Sequence, residues 1–168
     1  IKRFKKIKKK EKIKKKFKLD MIKKPLITKN FFFKDNRGFF SKIAHKEFFL
    51  KKNYKIKQQN ISFSKNKGTI RGMHYQKNEH KEIKIVTCLN GEIYDVLIDL
   101  RKNSKTYKKK FIFKLNNCKK SLIVPEGFAH GFQTLTDDCF VLYLHTNYYK
   151  PKYEVTINPL KLKINWPI

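Results

Sequence analysis

Two histidines are candidates for chemistry because each stands beside glycine, near the predicted end of a strand. His74 belongs to the sequence RGMHYQ and His130 to the sequence GFAHGF. Glycine lets a backbone or a ligand approach closely, and imidazole gains or loses a proton near neutral pH. Each histidine can therefore be interpreted as a general base, as a metal ligand or as a hydrogen-bonded residue of the core.

Proton abstraction beside a carbonyl needs three groups, and the chain has a candidate for each. A base removes the proton, a cation or donor holds the enolate oxygen, and an acid on the opposite face returns a proton if the configuration is to invert. His74 is the candidate base, Lys84 the oxyanion partner and Tyr143 the opposing acid. The structural alternatives are a solvated, outward-facing Lys84 and a core aromatic ring at Tyr143.

Only four of the 42 basic residues are arginines, and three of the four lie in short motifs bounded by turns. A guanidinium group is planar and presents five donors, so it binds a phosphate or a carboxylate at two points where lysine cannot. Arg37, Arg71 and Arg101 are therefore candidate anion ligands. The alternative is that they form structural ion pairs in turns.

A metal site would need a third or fourth ligand of suitable type from neighbouring strands. The other three histidines have no ligand spacing to His74 or His130, and no C-x-x-C pair is present. We therefore expect no metal, and we expect free thiols in a reducing cytosol. The residues concerned are His45, His80 and His145, and Cys88, Cys118 and Cys139.

Short strands are the elements that would position these side chains. Apolar runs of five to nine residues bounded by turn residues follow one another from Leu26 onward, which is typical of an all-β domain. Asn90-Gly91 predicts a type I′ hairpin turn between two long strands, and residues 45–52 fit one short helix. We expect a double-stranded β-helix, or cupin-like jelly roll, with one or two short helices. Predicted strands are 31–33, 38–43, 61–64, 69–74, 82–89, 92–100, 111–115, 121–124 and 139–146.

The chain of 168 residues is the size of one domain, and its net charge is +29. Residues 1–20 carry twelve basic and two acidic side chains, and the remaining +19 is scattered without a nucleic-acid-binding motif. We therefore expect no specific nucleic-acid partner. A diffuse positive field would still attract a pyrophosphate ligand.

The first twenty residues are expected to be a basic extension that is disordered or lies upstream of the true start, followed by a single domain over 21–168. The alternative is an amphipathic helix that contacts a membrane surface or a partner. The sequence has no apolar run of eighteen residues and no signal-peptide core, so it predicts a cytoplasmic protein.

Six motifs in order resemble those of the dTDP-4-dehydrorhamnose 3,5-epimerase family, over about residues 25–167. Lys84 also matches the family's lysine, ten residues after the histidine of the second motif. Any one motif alone would be weak evidence, whereas six in the family's order are specific. They are DNRGFF (35–40), RGMHYQ (71–76), GEIYDVLIDLR (91–101), VPEGFAHGF (124–132), TNYY (146–149) and WP (166–167).

The resemblance implies a cupin-type jelly roll, usually a homodimer, that acts without metal or organic cofactor. Its substrate would be dTDP-4-keto-6-deoxy-D-glucose, epimerised at C3 and C5 to dTDP-4-keto-L-rhamnose in deoxysugar biosynthesis. Two narrower functions remain open: epimerisation at one carbon of a related nucleotide-linked 4-keto-hexose, or binding of a sugar nucleotide with weakened catalysis.

The resemblance also assigns roles to individual residues. His74 would remove the protons at C3 and C5, Tyr143 would donate to the other face, and Lys84 would lie in the pocket. Asp95 would lie near the catalytic histidine and orient it. Positions implied to contact substrate or nucleotide are Arg37, Gln58, Asn60, Arg71, His130 and Glu154.

Three departures from the family pattern bear on the pocket. In the family a lysine-aspartate pair follows the WP motif by about ten residues, and its aspartate pairs with the catalytic histidine, whereas this sequence ends at Ile168. Lys42 stands where glutamate is usual and Gln59 where aspartate is usual, so we expect less negative charge in the pocket.

Overall fold

The computed structural model describes residues 23–43 and 54–168, and these residues form an antiparallel jelly roll. Two five-stranded sheets face each other, with the strand orders β1-β9-β6-β11-β4 and β12-β5-β10-β7-β8, and β2 and β3 form a separate hairpin. This confirms the predicted fold class, while the helix predicted at 45–52 lies outside the described residues. The strands are Leu26–Lys29 (β1), Phe31–Asp35 (β2), Gly38–Lys42 (β3), Gln58–Ser64 (β4), Ile70–Gln76 (β5), Lys84–Asn90 (β6), Glu92–Asp99 (β7), Lys110–Asn116 (β8), Lys120–Val124 (β9), Phe128–Thr134 (β10), Cys139–His145 (β11) and Glu154–Thr156 (β12).

The helical content of the described residues is confined to three short 3₁₀ segments, Asn78–His80, Pro151–Tyr153 and Pro159–Leu162. In these described residues no helix is long and apolar enough to cross a membrane.

The core lies between the two sheets. Its position explains why segments with alternating apolar residues form these strands. Each strand sends every second side chain inward, so the apolar positions of both sheets meet. A second cluster on the outer face of the β5-β10-β7 layer is covered by the segment after β12, which includes Leu162, Ile164 and Trp166. The central cluster contains Val86, Cys88, Ile93, Leu97, Leu115, Leu122, Val124, Phe128, Phe132, Cys139 and Val141.

The three cysteines are buried and free, as the sequence predicts. Burial raises the pKa of the Cys88 thiol to about 12, so this side chain behaves as a small apolar core residue.

The Asn90-Gly91 turn does not form the predicted hairpin. Strand β6 pairs with β9 and β11, whereas β7 pairs with β8 and β10, so the chain crosses from one sheet to the other at Gly91. Gly91 has a φ of +79°, and a Cβ there would lie 2.5 Å from Cys139 Sγ. The glycine is needed at this corner for its positive φ and for the close contact, not for strand pairing.

Candidate functional site

A cleft of about 390 Å³ opens between the two sheets and collects most of the residues singled out in the sequence. Because the strands of each sheet alternate their side chains, β4, β6 and β11 supply one wall, while β5, β10 and β12 supply the other. The predicted site residues that line the cleft are Gln58, Asn60, Arg71, His74, Lys84, His130, Tyr143 and Glu154.

Glycines on neighbouring strands let the wall behind His74 close tightly. Gly72 has a φ of +110°, and a Cβ there would lie 2.6 Å from the Cα of Gly131. A Cβ on Gly131 would in turn lie 2.6 Å from Met73 Sδ. The glycines beside both histidines therefore serve the close approach of β5 and β10, which brings His74 and His130 to the same cleft.

His74 lies on β5, half-exposed in the cleft, with its Nδ1 atom against the short strand β12. Thr156 is its register partner, and Thr156 Oγ1 lies 3.1 Å from Nδ1. Glu154, two residues earlier on the same face of β12, places Oε1 3.0 Å from Nδ1. An ionised carboxylate only accepts hydrogen bonds, so it favours the proton on Nδ1 and leaves Nε2 as the free base.

Burial and the neighbouring charges together set the pKa of this imidazole. Partial burial lowers the pKa of His74, the Glu154 carboxylate raises it, and Lys84 and His130 lower it further, so that the pKa lies below its ordinary value. Tyr149 donates its hydroxyl hydrogen to Glu154 Oε2 at 2.6 Å, which fixes the carboxylate against His74. A neutral imidazole with an oriented carboxylate is the arrangement of a general base.

His130 and Asp95 form a buried pair, which corrects two predictions from the sequence. His130 lies in the middle of β10 and not at a strand end, and it is 4% exposed. Its Nε2 atom lies 2.9 Å from Asp95 Oδ2. Asp95 therefore orients His130, whereas His74 has Glu154 as its carboxylate. In β10, Ala129 and Gly131 pair with β7 on either side of His130, which fixes its position.

Tyr143 lies on β11, in the sheet that forms the wall of the cleft opposite His74. Its ring meets that of His130 edge-on, with centroids 6.3 Å apart, and its hydroxyl lies 3.1 Å from Ser62 Oγ. Burial raises the pKa of Tyr143 to about 12, opposed by the hydrogen bond with Ser62. The phenol therefore keeps its proton near neutral pH and is able to donate it.

Lys84 also lines the cleft and is held by a residue that the sequence did not single out. Its Nζ atom lies 3.4 Å from Glu82 Oε1, and Glu82 Oε2 lies 2.8 Å from His145 Nδ1. Glu82 and His145 are buried in the cleft wall. His145 has no ligand spacing to the other histidines, so the sequence predicts no role for it. No local motif marks this network, because it depends on the register that places His145 opposite Lys84 in adjacent strands.

Of the three candidate anion ligands, Arg71 is the one that lines the cleft. Its Nε donates to Ser64 Oγ at 2.8 Å and its Nη2 to the carbonyl oxygen of Phe63 at 2.7 Å. These two bonds fix the plane of the guanidinium group and leave further N–H donors for an anion.

Arg101 forms a structural ion pair. It donates from Nε and Nη2 to the two oxygens of Asp99, at 2.8 and 2.7 Å, and lies over the Phe128 ring. Burial alone would raise the pKa of Asp99, but hydrogen bonds from Arg101, Ser104 and Thr106 outweigh it and hold that pKa well below its usual range.

Arg37 and the two substituted positions lie outside this cleft. Arg37 is 90% exposed at the tip of the β2-β3 hairpin, where its guanidinium pairs with Asp35 at 2.6 Å. Lys42 lies on the same hairpin over the Phe31 ring. Gln59 is exposed on β4 between two residues that line the cleft. The sequence predicted less negative charge in the pocket because of Lys42 and Gln59. Neither residue lines the cleft of a single chain, so that loss is not seen there.

Within residues 23–43 and 54–168, no group of three histidine, cysteine, aspartate or glutamate side chains is placed to hold a metal ion. Several titratable groups of the cleft are paired with one another, namely His74 with Glu154, and Lys84 and His145 with Glu82.

Comparison with known proteins places the whole domain in one family of sequences. The family model for dTDP-4-dehydrorhamnose 3,5-epimerase matches residues 20–168. The Salmonella typhimurium dTDP-4-dehydrorhamnose 3,5-epimerase is 40% identical over 141 residues, covering 80% of this chain and 76% of the relative.

Solved structures share the fold. That of the Legionella pneumophila dTDP-6-deoxy-D-glucose-3,5-epimerase, in complex with dTDP-4-keto-L-rhamnose, has a TM-score of 0.78 and 34% identity, covering 86% of this chain and 79% of the other. A 3′-monoepimerase from Streptomyces bikiniensis, in complex with dTDP-quinovose, has a TM-score of 0.77 and 27% identity, covering 85% and 75%.

Proposed function

This chain belongs to the dTDP-4-dehydrorhamnose 3,5-epimerase family, and we propose that it converts dTDP-4-keto-6-deoxy-D-glucose to dTDP-4-keto-L-rhamnose by epimerisation at C3 and C5. The observation that carries the proposal is the placement of His74 and Tyr143 on opposite walls of one cleft, with Lys84 between the sheets beside them. The cleft thus presents a base, an acid and a cation to one bound sugar.

His74 starts the reaction as the base. The ketone at C4 acidifies the C–H bonds at both C3 and C5, so one imidazole can serve both carbons. Its Nδ1 proton faces Glu154 and Thr156, and Nε2 takes the proton from carbon. As His74 becomes an imidazolium ion, Glu154 stabilises the new charge.

Lys84 and Tyr143 complete the exchange. Deprotonation moves charge to the C4 oxygen, and a nearby ammonium group lowers the energy of this enolate. Tyr143 then donates its phenolic proton to carbon on the face opposite His74, which inverts the configuration. Before the second carbon reacts, the His74 imidazolium ion releases its proton to solvent and the Tyr143 phenolate takes one from solvent. The high pKa of Tyr143, about 12, keeps this proton in place until the enolate, a stronger base than water, forms.

The nucleotide diphosphate is assigned to Arg71 and, in a homodimer, to Arg37 of the partner subunit. Arg71 lies in the cleft with unused N–H donors. Two apolar surfaces support the dimer: Phe31, Phe33 and Phe40 on the hairpin are between 53 and 57% exposed, and Ile61 and Phe63 on β4 are also exposed. Exposed apolar patches of this kind mark interaction sites.

Strand β4 ends the order of its sheet among the described residues, and Ile61 of β4 lines the cleft. A twofold arrangement would place the hairpin of each copy on β4 of the other. The hairpin tip, and with it Arg37 of the partner subunit, would then reach the mouth of the cleft.

The double variant Phe31→Ser/Phe33→Ser is expected to halve the mass measured by light scattering coupled to size exclusion, because it removes the apolar face of the hairpin. The matched control is Ile112→Ser, since Ile112 is similarly exposed on β8, the edge strand of the other sheet. A monomeric wild-type protein, or a dimer that survives the double variant but not the control, would contradict this arrangement.

The activity is tested by NMR of dTDP-4-keto-6-deoxy-D-glucose in deuterated water with the purified protein. We expect deuterium at both C3 and C5, in a chain lacking residues 1–20 as well as in the full chain, because the family match begins at residue 20. Incorporation at one carbon would indicate a single-site activity like that of the 3′-monoepimerase from Streptomyces bikiniensis. Tight binding of the nucleotide sugar without incorporation would indicate a binding protein and would overturn the proposal.

A further inference from the structure

One side of the cleft carries a run of hydrogen bonds that ends at Glu82, whose carboxylate forms an ion pair with Lys84. We propose that Glu82 and His145 are positioning residues, which hold the Lys84 ammonium where the enolate oxygen forms. This inference rests on the proposed function in one respect, the role of Lys84.

The run begins at a group whose direction is fixed. A backbone N–H can only donate, and that of Tyr149 donates to Gln58 Oε1 at 2.8 Å. The Gln58 amide therefore has its oxygen towards Tyr149 and its nitrogen towards Asn60. This nitrogen donates to Asn60 Oδ1 at 3.1 Å. The Asn60 amide is oriented in turn, with its nitrogen towards His145.

The orientation of Asn60 determines the tautomer of His145. Asn60 Nδ2 lies 3.4 Å from His145 Nε2, so Nε2 accepts and carries no proton. The proton of the neutral ring then lies on Nδ1, which donates to Glu82 Oε2 at 2.8 Å. Every bond from Tyr149 to Glu82 thus runs in the same direction.

Glu82 has a partner at each of its oxygens, a hydrogen bond at Oε2 and an ion pair at Oε1. Its side chain is 5% exposed, with His145 Nδ1 on Oε2 and Lys84 Nζ, 3.4 Å away, beside Oε1. A buried carboxylate is stable only when it is paired, so it keeps both partners close. Lysine has a flexible four-carbon stem, and the carboxylate removes that freedom from Lys84.

Lys84 therefore has a different role in the cleft from Glu82 and His145. Lys84 touches the developing enolate, whereas Glu82 and His145 act only through Lys84. Catalysis by a preorganised charge depends on its position in the transition state more than on ground-state binding. Loss of the positioning pair should therefore reduce kcat and leave KM nearly unchanged.

Two substitutions of His145 separate this role from a general structural one. Asparagine presents an N–H at the same δ position as Nδ1 and keeps the donor to Glu82, whereas glutamine presents its N–H at the ε position, towards Asn60. We expect His145→Asn to keep kcat within about threefold and His145→Gln to lower it by about 10 to 100-fold, as for a misplaced catalytic group. Equal losses in both variants, or no loss in His145→Gln, would overturn the inference.

A second test introduces His145→Gln into the Lys84→Met variant. If His145 acts through Lys84, then His145→Gln should cost nothing further once the ammonium is gone. A full additional loss in the double variant would show that His145 acts elsewhere.

A spectroscopic readout keeps the inference separate from the activity. The ¹⁵N shifts of His145 in the wild-type protein near neutral pH should show a protonated Nδ1 and an unprotonated Nε2, and Glu82→Gln should alter them. This result is expected even if the protein exchanges no carbon-bound proton, in which case only the proposed function fails. The opposite tautomer, or an imidazolium ion, would overturn the positioning network even in an active enzyme.

Discussion

His74→Ala is expected to abolish deuterium incorporation at C3 and C5 together, with a fall in kcat/KM of about 10² to 10⁴-fold, the range for loss of a general base. The two carbons should lose exchange in parallel because both flank the same ketone and face the same imidazole. The measurement is the NMR exchange assay, with the initial rate at each carbon followed separately.

Two controls make the result specific. Binding of dTDP, measured by calorimetry, should be unchanged in His74→Ala because the nucleotide is assigned to arginines. His80→Ala is a matched histidine control, since His80 stacks on Tyr153 and does not line the cleft. Exchange that persists at one carbon in His74→Ala would reveal a second base and would contradict the single-base mechanism.

The pKa values of His74 and Tyr143 are shifted in opposite directions. These shifts explain how one cleft can both remove a proton and return one. Burial lowers the pKa of His74 and raises that of Tyr143, because in each case it disfavours the charged form. The imidazole is therefore an available base at the same pH at which the phenol is a fully protonated acid. Both proton transfers can therefore take place at the same pH.

The strands that the sequence predicted are those with a strong apolar pattern. β6, β7 and β9 bury nearly continuous apolar runs, which a periodicity argument detects. The apolar pattern does not predict β10, although all seven of its residues are buried. It contains His130, Gly131 and Gln133, whose polar or flexible character hides a central strand, and whose burial is made possible by partners such as Asp95.

The short strands β1 and β12 were missed for a different reason. Each has four residues or fewer and ends a sheet in the order described, so each is defined by the neighbour it pairs with. β12 nevertheless matters most for the site, because it carries Glu154 and Thr156 to His74.

Individual site residues were predictable where a local motif marks them, and His74, Lys84 and Tyr143 do lie in one cleft. The pairing of charges was not predictable, because it depends on strand register. Asp95 was expected beside His74 and pairs with His130, whereas Glu82, which precedes β6, pairs with His145 of β11. Motif analysis identifies which groups are present, and only the register shows which carboxylate serves which base.

Glu154→Gln is expected to lower kcat/KM by up to about 10⁴-fold, as when the carboxylate of a histidine-aspartate pair becomes an amide. The glutamine amide can present an N–H to Nδ1 of His74. This would move the imidazole proton to Nε2, where the base must be free. Glu154→Ala offers no such donor and leaves Thr156 beside Nδ1, so its loss should be smaller, and this difference identifies the tautomer as the cause.

The pH profile of kcat/KM in Glu154→Ala provides an independent test of the role of Glu154. The Glu154 carboxylate raises the pKa of His74 against the effect of burial. Without it the imidazolium form is less stable, so the pKa falls and the imidazole stays neutral at lower pH. Since the base must be neutral, the acidic limb of kcat/KM should move to lower pH. Thr156→Val, which removes a neighbour of Nδ1 without changing charge, should leave the limb in place. A limb that stays fixed or moves to higher pH in Glu154→Ala would show that another carboxylate serves His74.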